Sequence, residues 1–293
     1  MRKFSKIVLG AAAVLGVVGF GFTAGGAVMG VTMEDMKYEG SSVQKAVNRV
    51  VTVAENWNDD WDDDDDWDDD EDWQDSGTAS VGENGNYEFD HISSLDVELN
   101  YDELILKETD DKKVTVSVTG EHTDKVRVGT EGTELQIEST SKSKPKERTV
   151  TVSYPSGMEF KEVSINVDEG TATLEDDLNT QEFSTAVGAG TLENNGRITA
   201  AEADIEVGVG TLELKNLDSE YIEAECGIGT MELQVTGAKE DYNYRLSCGV
   251  GSLLLADEEF TGLGTTKKVE NNGASRKMEL KCGMGTIQVK FDE

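Results

Sequence analysis

Basic side chains are scarce in this 293-residue chain: 26 Lys and Arg stand against 60 Asp and Glu, for a net charge of −34. Such a chain repels phosphate backbones, which excludes nucleic acid as a partner. Two His and three Cys are too few to build a His/Cys metal site, and no cofactor is expected. Only two Pro interrupt the chain. Glycine is plentiful by contrast, with 31 residues spread among many Thr and Val. That composition favours β-strands joined by sharp corners.

Charge is also missing locally. From Ile7 to Met33 the chain runs 27 residues without a charged side chain. A membrane-spanning helix needs about 20 apolar residues, and a secretory signal has an apolar centre of roughly 7–15. Residues 1–33 are therefore read as a signal-anchor transmembrane helix. Arg2, Lys3 and Lys6 precede the run and Glu34, Asp35 and Glu39 follow it, which places the N-terminus inside and the rest outside the cytoplasmic membrane. The alternative is cleavage around Ala24–Ala27 and secretion. In 34–56, Val43, Val47, Val50 and Ala54 recur at helical spacing behind Ser41 and Gln44, which resemble a capping box. This predicts a juxtamembrane amphipathic helix.

Residues 57–84 form an acidic linker. Between 57 and 75 lie thirteen carboxylates and no basic residue, and such dense like charge predicts a disordered, extended spacer. Trp57, Trp61, Trp67 and Trp73 go beyond what a spacer needs. Acid mixed with large rings suits capture of cationic amphipathic peptides, through charge attraction and cation–π contact. A third reading is loose binding of divalent cations, without the ligand spacing of an ordered calcium loop.

Downstream of residue 186 a small apolar residue precedes Gly-x-Gly five times, at Val187, Val207, Cys226, Cys248 and Cys282. The intervals are 20, 19, 22 and 34, and VDEGTATL from Val167 is a degenerate earlier copy. Read backwards in steps of two, the copies give Phe183/Thr185/Val187, Ala203/Ile205/Val207, Ile222/Ala224/Cys226, Tyr244/Leu246/Cys248 and Met278/Leu280/Cys282. Between them lie Asp204, Glu206, Glu223, Glu225, Glu279 and Lys281, so one strand face is buried and the other solvated. Past the glycines the alternation resumes out of phase, at Leu192, Leu212/Leu214, Met231/Leu233, Leu253/Leu255 and Ile287/Val289. The chain must therefore bend at Gly188, Gly190, Gly208, Gly210, Gly227, Gly229, Gly249, Gly251, Gly283 and Gly285. A positive φ would be one reason for glycine there.

The predicted fold class is all-β: a single-stranded right-handed β-helix or β-solenoid over 85–293, with coils of about 20 residues. The transmembrane helix and acidic disordered linker precede it. Alternation at Leu95/Val97/Leu99, Val114/Val116/Val118, Val126/Val128, Leu135/Ile137 and Val150/Val152/Tyr154 reads as a less regular opening of the solenoid. Residues 256–277 read as an exposed loop before the last coil. A dinucleotide-binding loop is excluded, because the third Gly is absent and a strand follows. Calcium-binding nonapeptide coils are excluded by the repeat length. The cysteines sit where other copies have Val and read as buried apolar groups. Coils spaced about 4.8 Å apart would allow a Cys226–Cys248 disulfide, but an odd count in a valine slot argues against one.

The chain resembles the Toastrack family, a β-strand-repeat, adhesin-like domain of unknown function found on Gram-positive surfaces and beside envelope-stress genes, including relatives of the LiaG and LiaF proteins. The resemblance covers roughly 85–293. It rests on VTVSYPSGMEFKEVSINV (150–167) and the Gly-x-Gly coils that follow. The family's commonest coil has Gly-Ser-Gly-Asp where this chain has Gly-x-Gly-Thr. The resemblance implies a surface sensor or scaffold in envelope stress, or an adhesin, and no catalytic residues. His91 and His122 show no triad or ligand spacing. The expectation is a non-enzymatic, membrane-tethered binding or sensing module whose partners are membrane signalling proteins or cationic peptides. The alternative is a surface adhesin or structural protein that binds host or matrix components.

Overall fold

A computed structural model describes residues 80–82, 85–139, 145–261, 265–270 and 273–292. The expected membrane span, the juxtamembrane helix and the tryptophan run lie outside the described residues. No helix among the described residues is long and apolar enough to cross a membrane.

The strands join one hydrogen-bonded network that folds into two walls around a single core. Each regular coil gives one strand to each wall. Leu178–Val187 lies in the first wall, the glycine corner turns the chain, and Thr191–Asn194 lies in the second. The next coil repeats this in register, pairing Phe183 with Ala203, Thr185 with Ile205 and Leu192 with Leu212. Period-2 alternation sends these residues inward and the intervening polar ones outward. Thr185 and Asn194 are among the polar residues in the inward rows, and both are satisfied. Thr185 Oγ1 donates to the Ile165 carbonyl at 2.9 Å. Asn194 Nδ2 donates to the carbonyls of Gly196 (2.6 Å) and Lys215 (2.7 Å). The interval of 19 has a local cause. The turn that takes three residues at 195–197 takes two at 215–216, where Asn216 adopts a φ of 53° and the ladder shifts register.

The upstream strands are coils of the same stack. Ser94–Leu99 with Glu103–Thr109 pairs in parallel with Glu159–Val167 and Thr171–Leu174 on one side. On its other side it pairs with Glu134–Ser139 and Arg148–Pro155. The stack therefore does not follow sequence order at this end, nor at the other. Arg276–Cys282 with Thr286–Asp292 lies between the coil of 217–236 and the coil made by Tyr242–Cys248 and Ser252–Leu255.

Two expectations are corrected here. Residues 256–277 are not simply an exposed loop: Glu258–Thr261 and Thr265–Val269 are antiparallel strands that close the outer edges of both walls. Val126–Glu131 and Val114–Gly120 cover the opposite end in the same antiparallel sense, and Asn86–Phe89 and then Ser80–Gly82 add two further antiparallel strands outside Val114–Gly120. Exposed strand edges otherwise invite pairing with other chains, which gives these segments a reason to be strands. Secondly, Cys226 and Cys248 are not neighbours, because Cys282 stands between them in register with both. All three thiols are free and buried.

Candidate functional surface

The corners are built by contact rather than by unusual dihedrals. None of the ten corner glycines takes a left-handed φ, against the expectation from sequence. Instead the coils stack there backbone on backbone, with Thr211 N donating to the Gly190 carbonyl at 3.0 Å and Thr230 N to Gly210 at 3.0 Å. A Cβ on Gly190, Gly210, Gly229, Gly251 or Gly285 would run into the carbonyl oxygen of the corner beneath it, well under 3.0 Å. The first glycine of each pair is less confined. At Gly208 and Gly227 the nearest oxygen lies at 3.0 Å.

This close stacking aligns the residue between the glycines. Ala189, Val209, Ile228, Met284 and Val250 form one row along the corner, and Val209 and Val250 are 43% and 46% exposed. Beside it runs a hydroxyl row of Thr171, Thr191, Thr211, Thr230, Thr286 and Ser252, again in register.

A second feature lies on the outward face of the first wall. Asp204 stacks on Glu223 and Glu206 on Glu225. Lys281 is in direct contact with the group: its Nζ is 2.7 Å from Glu223 Oε1 and also contacts Glu225 Oε1. Tyr221 donates its hydroxyl to Glu223 Oε2 at 3.1 Å. Burial, with the charges of Glu223 and Glu225, pushes the Asp204 carboxyl up to about 6. Burial and the neighbouring Asp204 and Glu225 push Glu206 up to about 7. Glu223 moves down: burial opposes its charge, but the hydrogen bond and charge of Lys281 outweigh that. No group of three or more His, Cys, Asp or Glu among the described residues is placed to hold a metal ion.

The signs give a testable pH dependence. A raised pKa means the folded protein keeps its proton longer than the unfolded chain does. The contribution of Asp204 and Glu206 is therefore complete below the ordinary carboxylate value of about 4, and it is lost as pH rises through 6 to 7. Glu223 works oppositely, its contribution being lost as pH falls. Glu206→Gln is expected to raise the thermal midpoint at pH 8 by roughly 2–4 °C and to leave it nearly unchanged at pH 4. Equal shifts at both pH values would show that Glu206 carries no retained proton.

The concavities among the described residues are shallow. A shallow groove of about 40 Å³ on the second wall is lined by Glu213, Lys215, Glu232, Gln234, Gln288 and Lys290. Small-molecule sites span roughly 300–1,000 Å³, so this groove is far too small for a substrate. The thiols are not poised for chemistry either, since burial pushes Cys226 up to about 11 and Cys282 up to about 12. Cys226→Val with Cys248→Val is expected to cost less than about 1.5 kcal/mol, because Val187 and Val207 fill the same slot. A larger loss in a urea titration under reducing conditions would show that the sulfur packing is specific.

His91 and His122 sit apart in turns with φ of 63° and 55°. The role of His122 is to offer its carbonyl, at 2.8 Å, to Arg148 Nη1. Arg148 is wholly buried and paired through Nε with Asp102 Oδ1, while its Nη2 donates to Ser139 Oγ at 2.8 Å. This pair was not anticipated. The available clue was that Asp102 follows Leu99 at the same distance as Gly170 follows Val167, so an acid stands in a corner glycine's place.

A two-walled stack of parallel coils with glycine corners defines a β-solenoid domain. The model of the Toastrack DUF4097 family matches residues 92–293, and the chain belongs to that family. Solved structures with similar coordinates include a candidate adhesin of Bacteroides fragilis, 18% identical, covering 70% of this chain and 94% of that one, with a TM-score of 0.43. A candidate cell adhesion protein of Clostridium sporogenes is 13% identical, covering 69% and 94%, with a TM-score of 0.36. A candidate adhesin of Parabacteroides merdae is 11% identical, covering 71% and 95%, with a TM-score of 0.30. No curated relative matches the chain.

Proposed function

We propose that this chain is a non-enzymatic, membrane-tethered module that presents its solenoid outside the cytoplasm to a macromolecular partner, with the envelope-stress response as its setting. The observation that carries the reading is the corner row from Ala189 to Val250. Its side chains repeat at strand spacing beside a row of hydroxyls, on a body without a substrate-sized cleft among the described residues. Exposed apolar groups in a line suit an extended partner that lies along the corner. The uncharged run before Glu34 would supply the tether. The acidic run with Trp57, Trp61, Trp67 and Trp73 would supply reach and would collect cationic amphipathic peptides.

The test is capture from solubilised cell envelopes with the full chain and with a Val209→Glu, Val250→Glu variant, which alters the row without touching a buried position. Recovery of a membrane protein that the variant loses is the expected result. Equal recovery by both would remove the row from the reading. Recovery of host or matrix glycans in its place would turn the reading to a surface adhesin.

A further inference from the structure

The coil of 276–292 is bounded by the same molecule on both sides. Cys282 pairs with Cys226 on one side and Cys248 on the other, Leu280 with Ala224 and Leu246, and Ile287 with Met231 and Leu253. The chain leaves coil 217–236, builds the outer coil at 242–255, reverses through Glu258–Thr261 and Thr265–Val269, and returns to fill the gap. A strand pair hydrogen-bonded along both edges completes its ladders only when both neighbours are present, and here both precede it in the chain. The last two strands therefore fill a slot between coils made earlier in the sequence, whichever wall pairs first.

The slot recognises a repeat rather than a particular connection. Both walls present three inward residues and a glycine corner: Ile222, Ala224 and Cys226 with Gly227 and Gly229, and Tyr244, Leu246 and Cys248 with Gly249 and Gly251. The entering coil offers Met278, Leu280 and Cys282 with Gly283 and Gly285 in the same register. Charge fixes the fit, since Lys281 reaches Glu223 and Glu225 and Arg276 Nη1 lies 2.9 Å from Asp218 Oδ1. Gly237 N closes the far end by donating to the Asp292 carbonyl at 2.9 Å. None of these contacts depends on which molecule the coil belongs to. With Thr265–Val269 kept on its own Tyr242–Cys248, the link of 270–275, drawn out at about 3.3 Å per residue, spans roughly 20 Å and reaches a neighbour that packs against this end.

We propose that residues 276–292 are an exchangeable coil whose alternative acceptor is a second copy of this chain. Each copy inserts its 276–292 into the other's slot between 217–236 and 242–255, giving a reciprocally exchanged dimer with every native contact retained. Exchange of identical elements costs little beyond association, so protein concentration during folding sets the yield.

The Lys281 ion pairs report the state, because a carbodiimide joins an amine to a carboxylate in contact with it. Full-length chain is prepared in two isotopic forms, unfolded, and refolded together in equal amounts at high concentration. The dimer and monomer fractions are separated, cross-linked and analysed by mass spectrometry. About half of the Lys281 to Glu223 or Glu225 links in the dimer are expected to join a heavy chain to a light one, and none in the monomer. Forms refolded apart and then mixed should show no such links. If the chain does not refold, two differently tagged copies expressed together and purified through both tags replace the isotopes. A chain that stays monomeric at every concentration would overturn the proposal. So would dimers whose Lys281 links stay within one isotope, or the lack of these links in the monomer.

Discussion

Gly210→Ala is expected to cost about 3 kcal/mol or more, while Gly208→Ala, two residues away in the same corner, costs less than about 1 kcal/mol. The two glycines look equivalent in sequence and neither has a left-handed φ. Their difference lies in what a Cβ would meet. At Gly208 it would reach the Gly188 carbonyl oxygen at 3.0 Å, a tight contact that a few tenths of an ångström relieve. At Gly210 it would run into the Gly190 carbonyl oxygen and also lie 2.8 Å from Val187 Cγ1. Neither neighbour can yield, because the oxygen is held in the ladder by Thr211 N and Val187 is buried. Relief would require the two coils to separate, which breaks ladder bonds on both walls. Urea unfolding of the two variants with the parent decides the matter. Equal losses at both positions would show that corner stacking does not select glycine.

Arg148→Met should destabilise the protein by about 3–5 kcal/mol, because it leaves the Asp102 carboxylate buried without its counter-charge. Asp102 and Arg148 side chains are both fully buried, and Asp102 Oδ2 has no hydrogen-bond partner even with Arg148 present. Breaking one side of such a pair costs far more than removing both. The paired change Arg148→Met with Asp102→Gly should recover most of the loss, since glycine is what the following coils carry at that corner. Thermal unfolding of the single and double variants forms the cycle. A double variant no better than Arg148→Met would mean that the contacts of Arg148 to His122 and Ser139, rather than the ion pair, hold this end together.

Much of the fold could be read from the residues, because the repeat imposes the same local solution on each coil. Phe183/Thr185/Val187 and its counterparts give the inward face directly, and the phase change at Gly-x-Gly gives the bend. The stacking order could not be read. Ile222/Ala224/Cys226 is as good a neighbour for Tyr244/Leu246/Cys248 as for Met278/Leu280/Cys282, so local pattern does not choose between them. The interval of 34 before Cys282 was the one visible departure, and it reflects two cap strands and a return into the stack. The carboxylate group was nearer to hand. Aligning the copies puts Asp204 over Glu223 and Glu206 over Glu225 at strand spacing, and such crowding of like charges favours the retained protons on Asp204 and Glu206. The reason for glycine at the corners is not legible in one copy, because dihedral freedom is a property of the residue, whereas the carbonyl a Cβ would meet belongs to the neighbouring coil.

The reversed strands at the two ends have a larger consequence. Rows of like residues stacked in register, each satisfying the backbone of the one below, are also the construction of an amyloid fibril. A stack of interchangeable rows has no natural length. Here direction supplies one. Thr265–Val269 and Glu258–Thr261 run against the coils they cover, as do Val126–Glu131 and Val114–Gly120 at the far end, where Ser80–Gly82, outermost beyond Asn86–Phe89, again runs against them. A parallel row arriving at such an end meets a ladder of the wrong polarity, and Lys267 and Lys268 place charge on it. The protein is in this sense a fibre cut to length, and the cut is made by strand polarity.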